Sequence, residues 1–368
     1  MSARPKVWRI RIAVAAFLLA ACGEPTGPRP EIEIDLARPW VTTRPQEVGL
    51  DAVALDRAIT RAVNVPRFRA LLVARRGRLA LEQYFGGADT ATMHDVRSVT
   101  KSIVSALVGI AAAEGSLPDL DASIGEYLDE SYALDDEDRR VTIRHLLEMT
   151  SGFTWNESGG PDYNAWILNG GDHVQYLLDR PHTAAAGTRW TYNSAAVHLL
   201  GVVLEEATGT SLAAFAEEHL FAPAGITAVR WEPLGRDHVN GGSGIDLRGR
   251  DLLRFGQLLL QSGRSGRQQI ILEEWVRSST MMRYEAPTTL GPLADIDYAR
   301  LWWTSGAPAA GAYFAWGFGG QFIYIVPDLD LVVVATTDWR NLSAEGGAGA
   351  VATAVMSVIV DDVLAAVR

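Results

Sequence analysis

Lysine and cysteine are almost missing from this 368-residue chain, which has two lysines, Lys6 and Lys101, and one cysteine, Cys22. A single cysteine excludes an intramolecular disulfide. The seven histidines (His94, His145, His173, His182, His198, His219 and His238) show no metal-pair spacing. No Gly-x-Ser-x-Gly elbow is present, which argues against a Ser/His/Asp triad built on that turn. Asp119, Asp121, Ser123 and Glu130 have part of a calcium-loop spacing, but Ile124 stands where the turn glycine is needed. Gly347-Ala348-Gly349 with Ala352 mimics a dinucleotide fingerprint, yet too little chain follows for a crossover and a ribose-binding acid. No metal and no cofactor is expected. Basic residues are the minority, 33 against 44 acidic, for a formal charge of -11. That balance argues against nucleic acid and anionic lipid headgroups as partners. There is no internal repeat, and beyond the N-terminus no apolar run reads as long enough to cross a membrane.

The N-terminus reads as a targeting segment. Arg4, Lys6, Arg9 and Arg11 come without an acid, and the apolar run 12–21 leads into Leu19-Ala20-Ala21-Cys22. That ending resembles a bacterial lipoprotein signal, with Cys22 acylated and the chain held in the cell envelope, on the periplasmic side, by a lipid anchor. A plain secretory peptide would export the chain equally. Loss of residues 1–21 removes four positive and no negative charges, moving the formal charge from -11 to -15. Residues 22–44, rich in proline, suit an extended tether. Residues 45–368 are then one domain large enough for a substantial core, with an α/β lobe over about 45–140 and 225–368 and a helical lobe over about 141–224.

The remaining lysine, Lys101, stands three residues after Ser98. Arginine stays protonated at any ordinary pH, whereas a buried lysine can be made a neutral base. From Ser98 to Glu114 the apolar positions cover most of the helix circumference, which predicts a helix buried nearly all round, closed by Gly115 and Pro118. Ser98 and Lys101 would share one face at its N-terminus, where the hydroxyl meets a base and an oxyanion meets backbone N–H groups. Residues 69–75 and 79–85 read as strands about a turn. Helical patterns follow over 142–149, 173–178, 194–207 and 212–220, with an amphipathic helix over 245–261 and a shorter one over 273–279. Strand-like runs cover 298–304, 313–327 and 329–337, the second interrupted by Gly317, Gly319 and Gly320, and a small-residue helix over 349–367 ends the chain. Together these predict an α/β (α+β) fold, an antiparallel sheet assembled from both chain ends and flanked by helices, with an inserted all-helical lobe.

Five stretches in this order carry a family resemblance: Ser98-Val99-Thr100-Lys101, residues 142–152 (Thr-Ile-Arg-His-Leu-Leu-Glu-Met-Thr-Ser-Gly), Trp190-Thr191-Tyr192-Asn193-Ser194, Arg250-Asp251-Leu252, and Gly317-Phe318-Gly319-Gly320-Gln321. The chain resembles the serine beta-lactamase and penicillin-binding-protein superfamily in its class C and esterase-like branch, most of all the 6-aminohexanoate-dimer hydrolases. The resemblance implies the beta-lactamase/transpeptidase-like fold, Ser98 as nucleophile, and Lys101 with Tyr192 handling protons. Ser194 stands where the family's Tyr-x-Asn motif has its asparagine, and Asn193 one place early. Ala315-Trp316-Gly317 occupies the third motif, usually Lys-Thr-Gly or His-Thr-Gly. The backbone N–H groups of Ser98 and Phe318 are then the oxyanion hole.

Ser194, Asn193, Trp316 and Gly317 are expected at the substrate, as are Trp155, Tyr163 and Trp166 from a Gly-rich loop that suits a lid, although ordinary packing within the helical lobe suits these aromatics equally well. An alanine at 315 removes the cation that helps hold a carboxylate, which tilts the expectation from penicillin-like substrates toward a small-molecule amide or ester. The rival activities are those of a D-alanyl-D-alanine carboxypeptidase or a beta-lactamase. From another class, the rival is a non-catalytic surface protein that binds a ligand. Oligomeric state is not set by any of these features.

Overall fold

Every residue of the strands Gln321–Val326 and Leu331–Thr337 is buried, so the middle of the sheet is covered on both faces. The computed structural model describes residues 34–157, 160–281, 283–286, 288–309 and 311–368. Cys22, the signal segment and most of the tether lie outside them. Eight strands form the main sheet: β1 (Phe68–Arg75), β2 (Arg78–Tyr84), β3 (Tyr284–Glu285), β4 (Ile296–Tyr298), β5 (Trp303–Ser305), β6 (Ala312–Gly317), β7 (Gln321–Val326) and β8 (Leu331–Thr337). Their order is β2-β1-β8-β7-β6-β5-β4-β3, antiparallel throughout. The sheet closes between the two halves of the sequence, where β1 pairs with β8 in the register Leu72↔Val334. Valine, isoleucine and leucine fill these strands because branched side chains suit a pleated surface packed on both sides.

Helices α1 (Ala52–Asn64), α2 (Val99–Glu114), α3 (Ser194–Thr208), α4 (Gly249–Leu260) and α5 (Ala348–Ser357) are the longest. Helix α4 lies so close on the sheet that a Cβ at Gly256 would meet Val332 Cγ1 at 2.5 Å and Ile323 Cγ2 at 2.8 Å. Thirteen of the sixteen residues of α2 are buried, among them Lys101. It ends where Gly115, at φ 83°, turns its N–H back to Ala111 and Ala112. Among the described residues between 143 and 221 the regular elements are all helical. In the first of them Thr142 and His145 form a capping box, which gives that histidine a structural task.

Three stretches depart from the sequence expectation. Residues 245–261 are not one helix: Ile245–Arg248 is a strand between Met93–Asp95 and Val229–Trp231, and α4 starts only at Gly249. The alternating burial of Ile245 and Leu247 against two partner strands overrides the helical period. Residues 298–304 form two short strands rather than one, broken where Leu301 takes φ 63°. From α2, Ser102 and Ser105 donate to the carbonyls of Leu301 and Arg300, both at 2.8 Å, and hold that break in place. The C-terminal run Ala348–Ala366 does prove long and apolar enough to cross a membrane by length and composition, but half of it is buried inside the protein. It is α5 followed by a wider and then a tighter turn, with Val355 packed on Gly320.

Candidate active site

Ser98 is the residue preceding α2, in helical conformation, yet its side chain makes no cap to the helix. Its Oγ instead accepts a hydrogen bond from Lys101 Nζ at 2.8 Å, one turn further on. Lys101 is 1% exposed. Its ammonium has two more acceptors, Ser194 Oγ and the Gly242 carbonyl, each at 2.7 Å. Gly242 comes this close because it has no side chain: a Cβ there would meet the Ser194 carbonyl at 2.5 Å. Asn240 Oδ1 fixes the loop by accepting from the N–H groups of Gly242 and Ser243. Burial pulls Lys101 down to about 8, although the carboxylate of Glu157 works in the opposite direction.

The Tyr192 ring lies beneath Lys101, its centroid 4.9 Å from Nζ, and its hydroxyl is close enough to Ser98 to feel that side chain. Burial, and after it Glu157, raise the phenol far above its ordinary value. Near neutral pH, therefore, Tyr192 keeps its proton, and of the two groups Lys101 is the one able to be a base. Behind Tyr192 the rings of Trp303 and Trp316 follow at 5.7 Å and 5.1 Å.

Ser98 opens into a cavity of about 550 Å³, bounded by Tyr163 and Glu157 on the helical side and by Phe318, Trp339 and Arg340 on the sheet side. Among the described residues the backbone N–H groups of Ser98 and Phe318 have no hydrogen-bond partner, and both residues line this cavity. Arg97, at φ 50°, is a wall of the cavity. Its guanidinium lies 4.5 Å over the Trp339 ring, donates to the Tyr163 hydroxyl at 2.5 Å, and sits 3.9 Å from Asp95.

Of the residues expected at the substrate, Tyr163 lines the cavity, and the others are placed differently. Asn193 is 1% exposed and caps α3, accepting from the Ala196 N–H at 3.0 Å. Ser194 is fully buried between Lys101 and Glu157. Trp155 and Trp166 are core residues, packed edge to face with centroids 6.3 Å apart, rather than parts of a lid. Their indole N–H groups have internal partners, Glu157 Oε2 at 2.9 Å and the His173 carbonyl at 3.1 Å. Trp316 is half-buried in the aromatic cluster behind Tyr192. Gly317 answers to backbone packing, since a Cβ there would stand 2.2 Å from the Val96 carbonyl.

Glu157, Arg97, Gly242 and Trp339 went unread in the sequence. Arg97 adjoins Ser98 and the cluster Asn240-Gly241-Gly242-Ser243-Gly244 marks a tight loop, so signals existed for two of them. Nothing in the spacing pointed to Glu157 or Trp339.

The Beta-lactamase family model matches residues 67–355. Over 209 residues the chain is 31% identical to Esterase EstB of Burkholderia gladioli, across 50% of this chain and 53% of that one. It is 24% identical over 300 residues to the 6-aminohexanoate-dimer hydrolase of Paenarthrobacter ureafaciens, across 74% and 73%. The matched stretch thus spans about half the length of the esterase and nearly three quarters of the dimer hydrolase. Among solved structures, the penicillin binding protein from Bacillus halodurans superimposes with a TM-score of 0.65 at 17% identity, over 82% of this chain and 98% of that one, a likeness of fold. On the extent of the family match, the chain belongs to the beta-lactamase family of serine hydrolases.

Proposed function

We propose that this protein hydrolyses a small ester or amide through an acyl-enzyme on Ser98. The observation that carries the reading is the buried amine of Lys101, 2.8 Å from Ser98 Oγ and pulled down to about 8. Neutral Lys101 takes the hydroxyl proton as Ser98 Oγ bonds to the substrate carbonyl carbon. The carbonyl oxygen becomes an oxyanion facing the N–H groups of Ser98 and Phe318. Tyr192 gives its proton to the departing alcohol or amine and recovers one from Lys101, so the base is restored when the leaving group has gone. Water then attacks the ester of Ser98 by the same path in reverse.

The neighbourhood favours substrates without a carboxylate. Ala315 is fully buried on the strand where the resemblance would place a cation. Of the two guanidiniums in the cavity wall, Arg97 already faces Asp95 and the Tyr163 hydroxyl, and Arg340 lies 3.6 Å from Asp95 and 3.5 Å from Asp338. We expect the purified protein to release nitrophenol from p-nitrophenyl butyrate in a burst followed by a steady rate. Ser98→Ala should lower that rate by at least about a thousandfold, the scale on which removal of a nucleophile acts. Equal turnover by the variant sinks the mechanism, and preferential covalent capture of a fluorescent penicillin would move the substrate assignment to peptidoglycan-like amides.

A further inference from the structure

Lys101 has three N–H groups when protonated and three acceptors around it: Ser98 Oγ, Ser194 Oγ and the Gly242 carbonyl. Once neutral, it keeps two N–H groups and one lone pair, and catalysis requires the lone pair to face Ser98. The Gly242 carbonyl can only accept, so it always claims one N–H. Ser194 is ambiguous, because a hydroxyl accepts or donates according to where its own proton goes. If that proton turned to Lys101, it would occupy the lone pair and leave Ser98 without a base.

Glu157 removes the ambiguity. Its Oε2 accepts from the Trp155 indole at 2.9 Å and from the Ser194 backbone N–H at 2.7 Å. Those two bonds fix the carboxylate with Oε1 against the Ser194 hydroxyl, which donates to it in a short hydrogen bond. A carboxylate is an acceptor without a proton to offer, so Ser194 can only donate toward Glu157 and only accept from Lys101. We infer that Glu157 is a positioning residue of the reaction: by holding the Ser194 proton it directs both N–H groups of neutral Lys101 away from Ser98 and leaves the lone pair facing the nucleophile.

This rests on the assignment of Ser98 and Lys101 as nucleophile and base. Glu157→Gln keeps size and shape but brings an amide N–H that can donate to Ser194 and reverse its hydroxyl. We expect kcat to fall about 10- to 100-fold, the scale on which loss of reactive alignment acts, with KM within about twofold. Because the carboxylate also favours the Lys101 ammonium, the rising limb of the kcat/KM profile should move about one unit toward lower pH, the low end for a nearby charge. Glu157 and Ser194 act as one relay, so the double variant Glu157→Gln with Ser194→Ala should be no slower than the slower single variant. A merely structural glutamate would lower the melting temperature without moving the pH limb. Wild-type kcat and pH limb in Glu157→Gln overturn the inference, as do independent losses that multiply in the double variant. If Glu157→Gln does not fold, Ser194→Ala alone decides: it should show the same loss in kcat with the pH limb nearly in place, because the carboxylate that favours the Lys101 ammonium remains, and a wild-type kcat overturns the inference. Ser98→Ala is assayed alongside, since an inert Ser98→Ala beside a wild-type Glu157→Gln refutes this inference alone, whereas an active Ser98→Ala refutes the reading beneath it.

Discussion

At the residue scale, the chemistry turns on how far a lysine can be drawn from its ordinary behaviour while hydrogen bonds still hold it in place. Lys101 is desolvated by α2 and its surroundings, which favours the neutral amine, as does the Arg97 guanidinium nearby, while the Glu157 carboxylate favours the ammonium. Desolvation wins, and the group comes down to about 8. The sign follows: below that pH the amine is protonated and cannot take the Ser98 proton, and above it the base is free. We predict that kcat/KM for a neutral ester climbs from about pH 7 to about pH 9 and then levels, as expected for one essential base. A profile flat across that range, measured with Ser98 chemistry intact, removes Lys101 from the role of base. That Ser98, Lys101 and Tyr192 come together was legible in the sequence, because the proposed chemistry needs particular side chains at characteristic positions. For Gly242 only the tight loop was legible, from its glycine cluster, and not its role, because it contributes a carbonyl that every residue carries. Glu157 was hidden for another reason: its acceptors matter only once the loop has folded back on the start of α3, and no periodicity records that contact. For Trp155 and Trp166 the sequence left a lid and lobe packing level, since aromatics in a glycine-rich stretch suit both until their burial is known.

At the scale of elements, the site is a junction between the start of α2, the start of α3 and the turn joining β6 to β7. The strand and helix patterns that build this junction were readable, since β7 and β8 are apolar throughout and α2 is apolar nearly all round. The elements misread were those whose partners are distant in sequence. Ile245–Arg248 becomes a strand through pairing with Met93–Asp95 and Val229–Trp231, and the break at Leu301 is held by serines of α2. Gly317 shows how tightly β6 is pressed on the approach to Ser98, because an added Cβ would stand 2.2 Å from the Val96 carbonyl, which is backbone and cannot swing away. We predict that Gly317→Ala pushes β6 and the Phe318 N–H back from Ser98, costing about 100-fold in kcat as loss of one oxyanion donor does. Overpacking of this kind also costs about 1–3 kcal/mol in stability. Activity within twofold of wild type would show that the turn carrying Phe318 is not part of the oxyanion site.

At the scale of the whole molecule, charge is the property that no single element decides. The chain carries a formal charge of -11, and the cavity repeats the imbalance locally. Asp95, Glu157 and Glu232 line it against Arg97 and Arg340. Both arginines are directed at Asp95, at 3.9 Å and 3.6 Å, while Glu232 has a neutral amide, Asn240 Nδ2, as its partner at 3.2 Å. A negative body with a mouth of the same sign raises the local concentration of cationic substrates and lowers that of anionic ones, an effect that added salt removes. We predict that kcat/KM for an ester bearing a quaternary ammonium falls severalfold between about 10 mM and about 0.5 M salt, as screening shortens the Debye length from about 30 Å to under about 5 Å. An uncharged ester of the same acyl group should change little, and an anionic one should gain. If all three respond alike, salt is acting on the enzyme itself rather than on the encounter, and the field of the molecule plays no part in choosing the substrate.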